Sequence, residues 1–199
     1  MAGYVGSRTN NALVSLTGAT GTISSDVVFP AGHVIQVVTF STTAQPSLNN
    51  GDEFSSIRKS ITPLATGSRL MITYCLGHVG ASTSSDIGLA PLRSTDAGST
   101  FTEFYTGSGG TRNVMFSYTN IGSTHGSTCS YTLIDPGVST TKSSAIMYSL
   151  KVYTNTGSVY MNRRGNDTTN ASISTITIFE LAAQYVYKIR CNRCVGGKS

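Results

Sequence analysis

Tryptophan is absent from the 199 residues, and charged residues supply only 12% of them, against an ordinary share of about 25%. Only nine residues are acidic. They are Asp26, Asp52, Glu53, Asp86, Asp96, Glu103, Asp135, Asp167 and Glu180, mostly isolated among turn-forming residues. That scarcity leaves little material for carboxylate chemistry. A glycosidase needs two carboxyls roughly 5 to 9.5 Å apart. Asp52 and Glu53 are adjacent in sequence, and neighbours in a strand point to opposite faces. The three histidines, His33, His78 and His125, accompany neither a G-x-S-x-G elbow nor an H-E-x-x-H pair, so hydrolase and zincin mechanics lack their parts. The Gly107-Ser-Gly-Gly110 stretch lacks the Lys-Ser/Thr and the strand-to-helix setting of a phosphate loop. No catalytic residue, cofactor or metal site is expected.

Long apolar runs are missing too. Nothing approaches the roughly 18 residues of a membrane span, and the opening MAGYVGSRTNN lacks the apolar stretch of a secretory signal. A soluble, unprocessed chain without membrane insertion is expected. Cysteine is sparse: Cys75, Cys129, Cys191 and Cys194. The last two form one C-x-x-C pair, whereas a zinc knuckle needs a second pair nearby. His125 is the nearest further ligand, four residues before Cys129. Reduced structural cysteines are the expectation, ahead of a disulfide involving Cys191 or Cys194 and of metal or redox chemistry.

The net charge of +5 raises nucleic acid as a partner, but most basic residues are scattered. Arg163 and Arg164 fall in a loop, and Lys188, Arg190, Arg193 and Lys198 crowd the C-terminal tail. No recognition helix or RNP-like aromatic stripe accompanies them, so no nucleic-acid partner is expected. An oxygen-rich loop at Asn166 and Asp167 lacks the D-x-D alternation of a calcium site. The triplets at Asn166 and Asn170 match the glycosylation pattern, which arises easily by chance in so Ser/Thr-rich a chain.

Ser, Thr and Gly fill the space that charge leaves, and their neighbours alternate. Val34–Phe40 is a strand bounded by a Ser/Thr/Pro loop. In SRLMITYCLGHV, Leu70, Ile72, Tyr74 and Leu76 share one face; the period of two means strand. IGLAPLR, 111–118 and TCSYTLID give further strands, the last closed by the Asp135-Pro136-Gly137 turn. Ile146, Tyr148, Leu150 and Val152 share a face of another strand. Asn155-Thr-Gly157 then predicts a hairpin with SVYMNR as partner, and ISTITIFELA reads as a central strand. In FSSIRKSI, Phe54, Ile57 and Ile61 do not alternate cleanly, and strand is favoured. About eight strands without a long amphipathic helix predict an all-β chain, an antiparallel β-sandwich or jelly roll. The expected organisation is an extended N-terminal arm over 1–33, a sandwich over 34–183 and a basic C-terminal tail over 184–199.

Three segments carry a resemblance: Val34-Ile-Gln-Val-Val38, Ser60-Ile-Thr-Pro63 leading to Ser68-Arg-Leu-Met-Ile72, and SVYMNRRGNDTTNASISTITIFELA at 158–182. In order and spacing they resemble the C-terminal β-sandwich domain family of tail-fibre-like virion proteins of marine and freshwater phages, including cyanophages, over residues 34–183. The resemblance implies a non-enzymatic virion protein, a tail-fibre-like or spike module assembled on the particle in the host cytoplasm. It implies a homotrimer, other virion proteins of tail or capsid as partners, and loops turned towards the host surface. A short arm and a basic tail in place of a long shaft leave a capsid decoration or head-fibre protein as the alternative. A host-surface glycan is the ligand considered, with Tyr105, Tyr118 and Tyr153 as aromatics able to stack on a sugar ring. Loops 81–86 and 94–110 are the expected outward surface.

Overall fold

The computed structural model describes residues 31–105, 116–165, 167–169 and 171–183, with the backbone alone over 116–120. The expected arm up to residue 30 and the tail from 184 lie outside the described residues. The strands are β1 (Val34–Thr42), β2 (Ser47–Leu48), β3 (Lys59–Ile61), β4 (Arg69–Ala81), β5 (Ser85–Ser94), β6 (Thr102–Glu103), β7 (Phe116–Ile121), β8 (Gly126–Ile134), β9 (Ile146–Thr154), β10 (Val159–Met161) and β11 (Ser174–Leu181). All pairings are antiparallel.

These strands form two sheets that enclose one core, an all-β sandwich as the sequence predicts. In the first sheet β8 borders one edge of β4, and β11 and β10 lie end to end along its other edge. β1 continues outward from β11, and β2 from β10. In the second sheet β9 lies between β3 and β5, and β6 and β7 share the far edge of β5. Pro91 sits on β5 in the gap between β7 and β6, so its missing N–H interrupts no ladder; its carbonyl accepts the Phe104 amide at 3.4 Å.

Alternation decides which side chains enter the core. Leu70, Ile72, Tyr74 and Leu76 of β4 point inward with Ile176 and Ile178 of β11, and meet Ile146, Tyr148, Leu150 and Val152 of β9. Full burial of one such side chain is worth roughly 1.5–3 kcal/mol. β11 lies between β1 and β4, the central position its apolar sequence predicts.

Two local expectations are corrected. The FSSIRKSI segment is not one strand: Ser55–Ile57 is a 3₁₀ turn and only Lys59–Ile61 pairs. Phe54 and Ile57, three residues apart, eclipse on such a turn, and both reach the core fully buried. The 155–157 turn does not make a hairpin either. β9 belongs to the second sheet, whereas β10 pairs with β4 and β2 in the first. The turn is held at both sheets: Asn155 Oδ1 accepts from Ser85 Oγ at 2.7 Å and the Asp86 amide at 2.9 Å beside β9 in the second sheet, while the Ser82 amide donates to the Ser158 carbonyl at 2.9 Å and the Ser158 amide to Ser82 Oγ at 2.9 Å where the chain joins the first.

The ends of the sandwich are unlike. At one, the chain enters and leaves side by side: the Gly32 amide donates to the Ala182 carbonyl at 3.1 Å, and the Ala182 amide to the His33 carbonyl at 2.8 Å. The 62–68, 95–101 and 135–145 connections share that end. The 43–46, 82–84, 122–125 and 155–158 connections lie at the other.

Candidate functional site: a groove on the outer face of the second sheet

The outward residues of the second sheet do not form an ordinary solvated surface. Residues 51–54 run beside β9, with Glu53 opposite Lys151, and register places Leu92 between Ser149 and Glu103. The result is a groove of about 430 Å³ among Glu53, Leu92, Phe101, Thr102, Glu103 and Lys151. Its floor is apolar, with Leu92 only 4% exposed.

Two ion pairs form the walls. Arg58 grips Glu53 through both oxygens, Nε to Oε1 at 2.7 Å and Nη2 to Oε2 at 2.5 Å, and its guanidinium lies 4.8 Å from the centre of the Phe101 ring. Opposite, Lys151 Nζ donates to Glu103 Oε1 at 3.0 Å, and the Tyr153 hydroxyl donates to the same oxygen. Burial favours the neutral form of Glu53, but hydrogen bonds from Arg58 and Ser149 outweigh it and hold the carboxyl below its ordinary range. The Lys151 ammonium is held above its ordinary range, chiefly by the hydrogen bond to Glu103.

Glu53 and Glu103, acids 50 positions apart in the sequence, share this groove. The sequence singles out Asp52 beside Glu53, and the two indeed part company: Asp52 Oδ2 accepts the Asn49 amide at 2.7 Å in the turn, while Glu53 faces the groove. Glu103, Lys151 and Arg58 escape sequence reading, since no spacing signals that β6, β9 and the 3₁₀ turn converge.

Of the aromatics proposed for stacking, Tyr153 lies beside the groove with its hydroxyl engaged by Glu103. Tyr105 is 40% exposed just beyond β6, and the Tyr118 side chain lies outside the described residues. The outward loops are divided: 82–84 lies at the end opposite the chain's entry and exit, 95–101 lies at that end, and 106–110 is outside the described residues.

The remaining candidates are dispersed. His78 lies against Gly126, as does the stem of Arg164, and His125 Nδ1 is 3.1 Å from Thr124 Oγ1. Cys75 and Cys129 carry no disulfide; Cys191 and Cys194 lie outside the described residues, as do Asn166, Asn170 and the Gly107–Gly110 stretch. Arg163 stacks on Tyr160 at 3.7 Å, and Arg164 pairs with Asp167 at 2.5 Å. Asp167 is thereby occupied, and no group of three metal-ligating side chains occurs among the described residues. Nor is any helix there long and apolar enough to cross a membrane.

The outer face of the first sheet is a different surface. Register aligns Thr39, Thr177, Thr73 and Thr132 in one rank across four strands, with Ser41, Thr175, Cys75 and Ser130 in the next. Hydroxyls bond along the ranks, Thr39 to Thr177 at 3.0 Å and Thr73 to Thr132 at 2.9 Å. A third rank, Val37, Phe179, Met71 and Ile134, is apolar.

No protein-family model matches the chain, and no curated protein matches it. Among solved structures, the infectious bursal disease virus VP2 subviral particle is similar over 85% of this chain, at 12% identity and a TM-score of 0.37. The chain spans 42% of the length of that protein.

Proposed function

We propose that the chain is a non-enzymatic structural protein of a bacteriophage particle, a tail-fibre-like or spike module that assembles on the virion as a homotrimer and meets the host surface. The observation that carries this reading is the shared entry and exit. Gly32 and His33 are hydrogen-bonded neighbours of Ala182, so the described chain enters and leaves the sandwich at one end. Attachment through the sequence on both sides of the sandwich would be bivalent, and such attachment gains affinity because the second contact is intramolecular once the first has formed.

The surface agrees with repeated assembly. Ranks of threonine, serine and apolar side chains on the first sheet repel little, whereas soluble monomers usually carry mixed charge. The resemblance of 34–183 to virion sandwich domains supports the same class of role.

A second reading, a capsid decoration protein, draws on the same geometry. A domain strung within a fibre shaft would take the chain in at one end and release it at the other. Side-by-side entry and exit suits a terminal or appended module, which can sit on the head as well as on the tail.

The test compares the full chain with versions lacking 1–30 or 184–199, each checked for folding by circular dichroism, in co-sedimentation with virions of the encoding phage that lack this protein. The full chain is expected to sediment with the particles, and each truncation to lose at least tenfold in apparent affinity. Equal binding by both truncations, or none by the full chain, would overturn the attachment role. Immunogold labelling separates tail from head, and light scattering is expected to give three chains.

A further inference from the structure

We propose that the groove between the Arg58–Glu53 and Lys151–Glu103 pairs is a binding site for a neutral saccharide. It rests on the host-contact part of the reading above only for the source of the sugar.

The first argument is charge. Each acid in the groove has its own cation, at 2.5 Å for Glu53 with Arg58 and 3.0 Å for Glu103 with Lys151. A ligand anion or cation would therefore have to displace a partner already in place. Pairing does not exhaust the hydrogen-bonding capacity of these groups. A carboxylate offers about four lone-pair directions and an ammonium three N–H donors, so charge-assisted donors and acceptors remain side by side along both walls. A ligand that donates and accepts from each of several adjacent groups, without net charge, matches that arrangement. Vicinal hydroxyls of a sugar do so.

The second argument is shape. A cavity of about 430 Å³ lies within the roughly 300–1,000 Å³ of small-ligand sites. Leu92 at the floor and Phe101 at one end supply apolar area for the C–H face of a pyranose ring, while Thr102 adds a hydroxyl at the rim. The walls are held without the ligand: Phe101 is stacked by Arg58, and Glu103 is held by both Lys151 and Tyr153. Little ordering entropy is left for binding to cost.

The third argument separates binding from cleavage. Glycoside hydrolysis requires a carboxylic acid whose proton is available near neutral pH. Glu53 is gripped at both oxygens by a guanidinium and stays ionised. Glu53 is therefore not that acid, and the activity assigned to the groove is binding alone.

The test uses the full chain with neutral trisaccharides of glucose, galactose, mannose and N-acetylglucosamine, and with sialyllactose as the anionic control, read by saturation-transfer NMR and titration calorimetry. At least one neutral trisaccharide is expected to bind at millimolar Kd or tighter, in preference to sialyllactose. Glu103→Gln and Lys151→Met should each weaken it at least tenfold, while Val37→Ala, exposed on the outer face of the first sheet, leaves it unchanged. Melting curves confirm that the variants fold; should Lys151→Met fail to, Thr102→Val serves with the same expectation. No neutral trisaccharide binding, preference for sialyllactose, binding that survives the groove variants, or release of reducing sugar would each overturn the proposal. Truncations that abolish particle attachment leave this result untouched, so the two readings fail separately.

Discussion

The Glu180 carboxylate accepts the Leu64 amide at 2.9 Å, although the two residues are 116 positions apart in the chain. The same carboxylate takes the Ala65 amide at 3.0 Å and the Gln36 side-chain amide at 2.7 Å. It is fully buried, and the Leu64, Ala65 and Gln36 donors are all neutral. The contact joins two segments distant in the chain: Glu180 near the end of β11 fastens the turn that follows Ser60-Ile-Thr-Pro63.

Glu180→Gln is therefore expected to destabilise the sandwich although it preserves shape. The replacement amide brings N–H donors to a site already filled by donors, and an unsatisfied buried polar group costs about 1–3 kcal/mol. A urea titration followed by far-ultraviolet circular dichroism should show a lower midpoint with an unchanged slope. An unaltered midpoint would mean that the turn does not depend on the carboxylate.

Asp135 anchors the same end from β8. Arg93 Nη1 reaches its two oxygens at 2.7 and 2.9 Å, and the Tyr148 hydroxyl donates at 2.9 Å. The Asp135 side chain is fully buried while Arg93 keeps 19% exposure. Asp135→Ala should cost about 2–4 kcal/mol, somewhat less than for a fully buried pair because Arg93 can turn to solvent. The double variant Asp135→Leu, Arg93→Met should cost less than Asp135→Ala alone, since no charge is then left unpaired. Thermal unfolding of the three proteins checks the order.

Alkaline pH should weaken the fold through two phenols. Burial, with the nearby Asp135 charge as the second cause, pushes Tyr74 and Tyr148 well above the ordinary tyrosine range. In the unfolded chain both ionise near pH 10; in the folded one they stay neutral, so the unfolded state releases protons that the native state keeps. Their contribution is complete below about pH 10 and falls above it, by up to about 1.4 kcal/mol per pH unit for each phenol. Urea midpoints between pH 8 and 11 should decline beyond pH 10, and Tyr148→Phe should make the decline shallower. Equal slopes for both proteins would exclude Tyr148 as a cause.

Gly165→Ala should disturb the excursion between β10 and β11. A Cβ there would sit 1.9 Å from the Ala81 carbonyl oxygen, and one on Gly80 would sit 2.8 Å from the Gly165 amide nitrogen. Backbone meets backbone on both sides, so no side chain can move aside. A loss of roughly 1–3 kcal/mol is expected, as for overpacking, with faster proteolysis between residues 162 and 173. Unchanged cleavage would show that the loop can lift without cost.

The strands themselves were legible because a half-buried strand writes its burial at period two. Leu70, Ile72, Tyr74 and Leu76 declare their face in sequence, as do Ile146, Tyr148, Leu150 and Val152, and the structure buries all eight. The 3₁₀ turn at Ser55–Ile57 was misread because its apolar residues also recur at short spacing. The groove was illegible for another reason. Glu53, Glu103 and Lys151 each look like isolated surface charges, and only strand register places them around Leu92.

Composition and alternation by themselves determined an all-β chain with the identity of most inward faces, because those follow from local geometry and the burial of apolar area. Tertiary structure alone decided which strands share a sheet, as the 155–157 turn shows: an Asn-Thr-Gly sequence permits a hairpin, and the backbone and hydroxyl bonds between Ser158 and Ser82 carry the chain to the first sheet instead. It also decided that entry and exit share one end and that two distant ion pairs wall one groove. Such features depend on contacts between residues far apart in the chain, and pairwise geometry of that kind leaves no periodic trace in sequence.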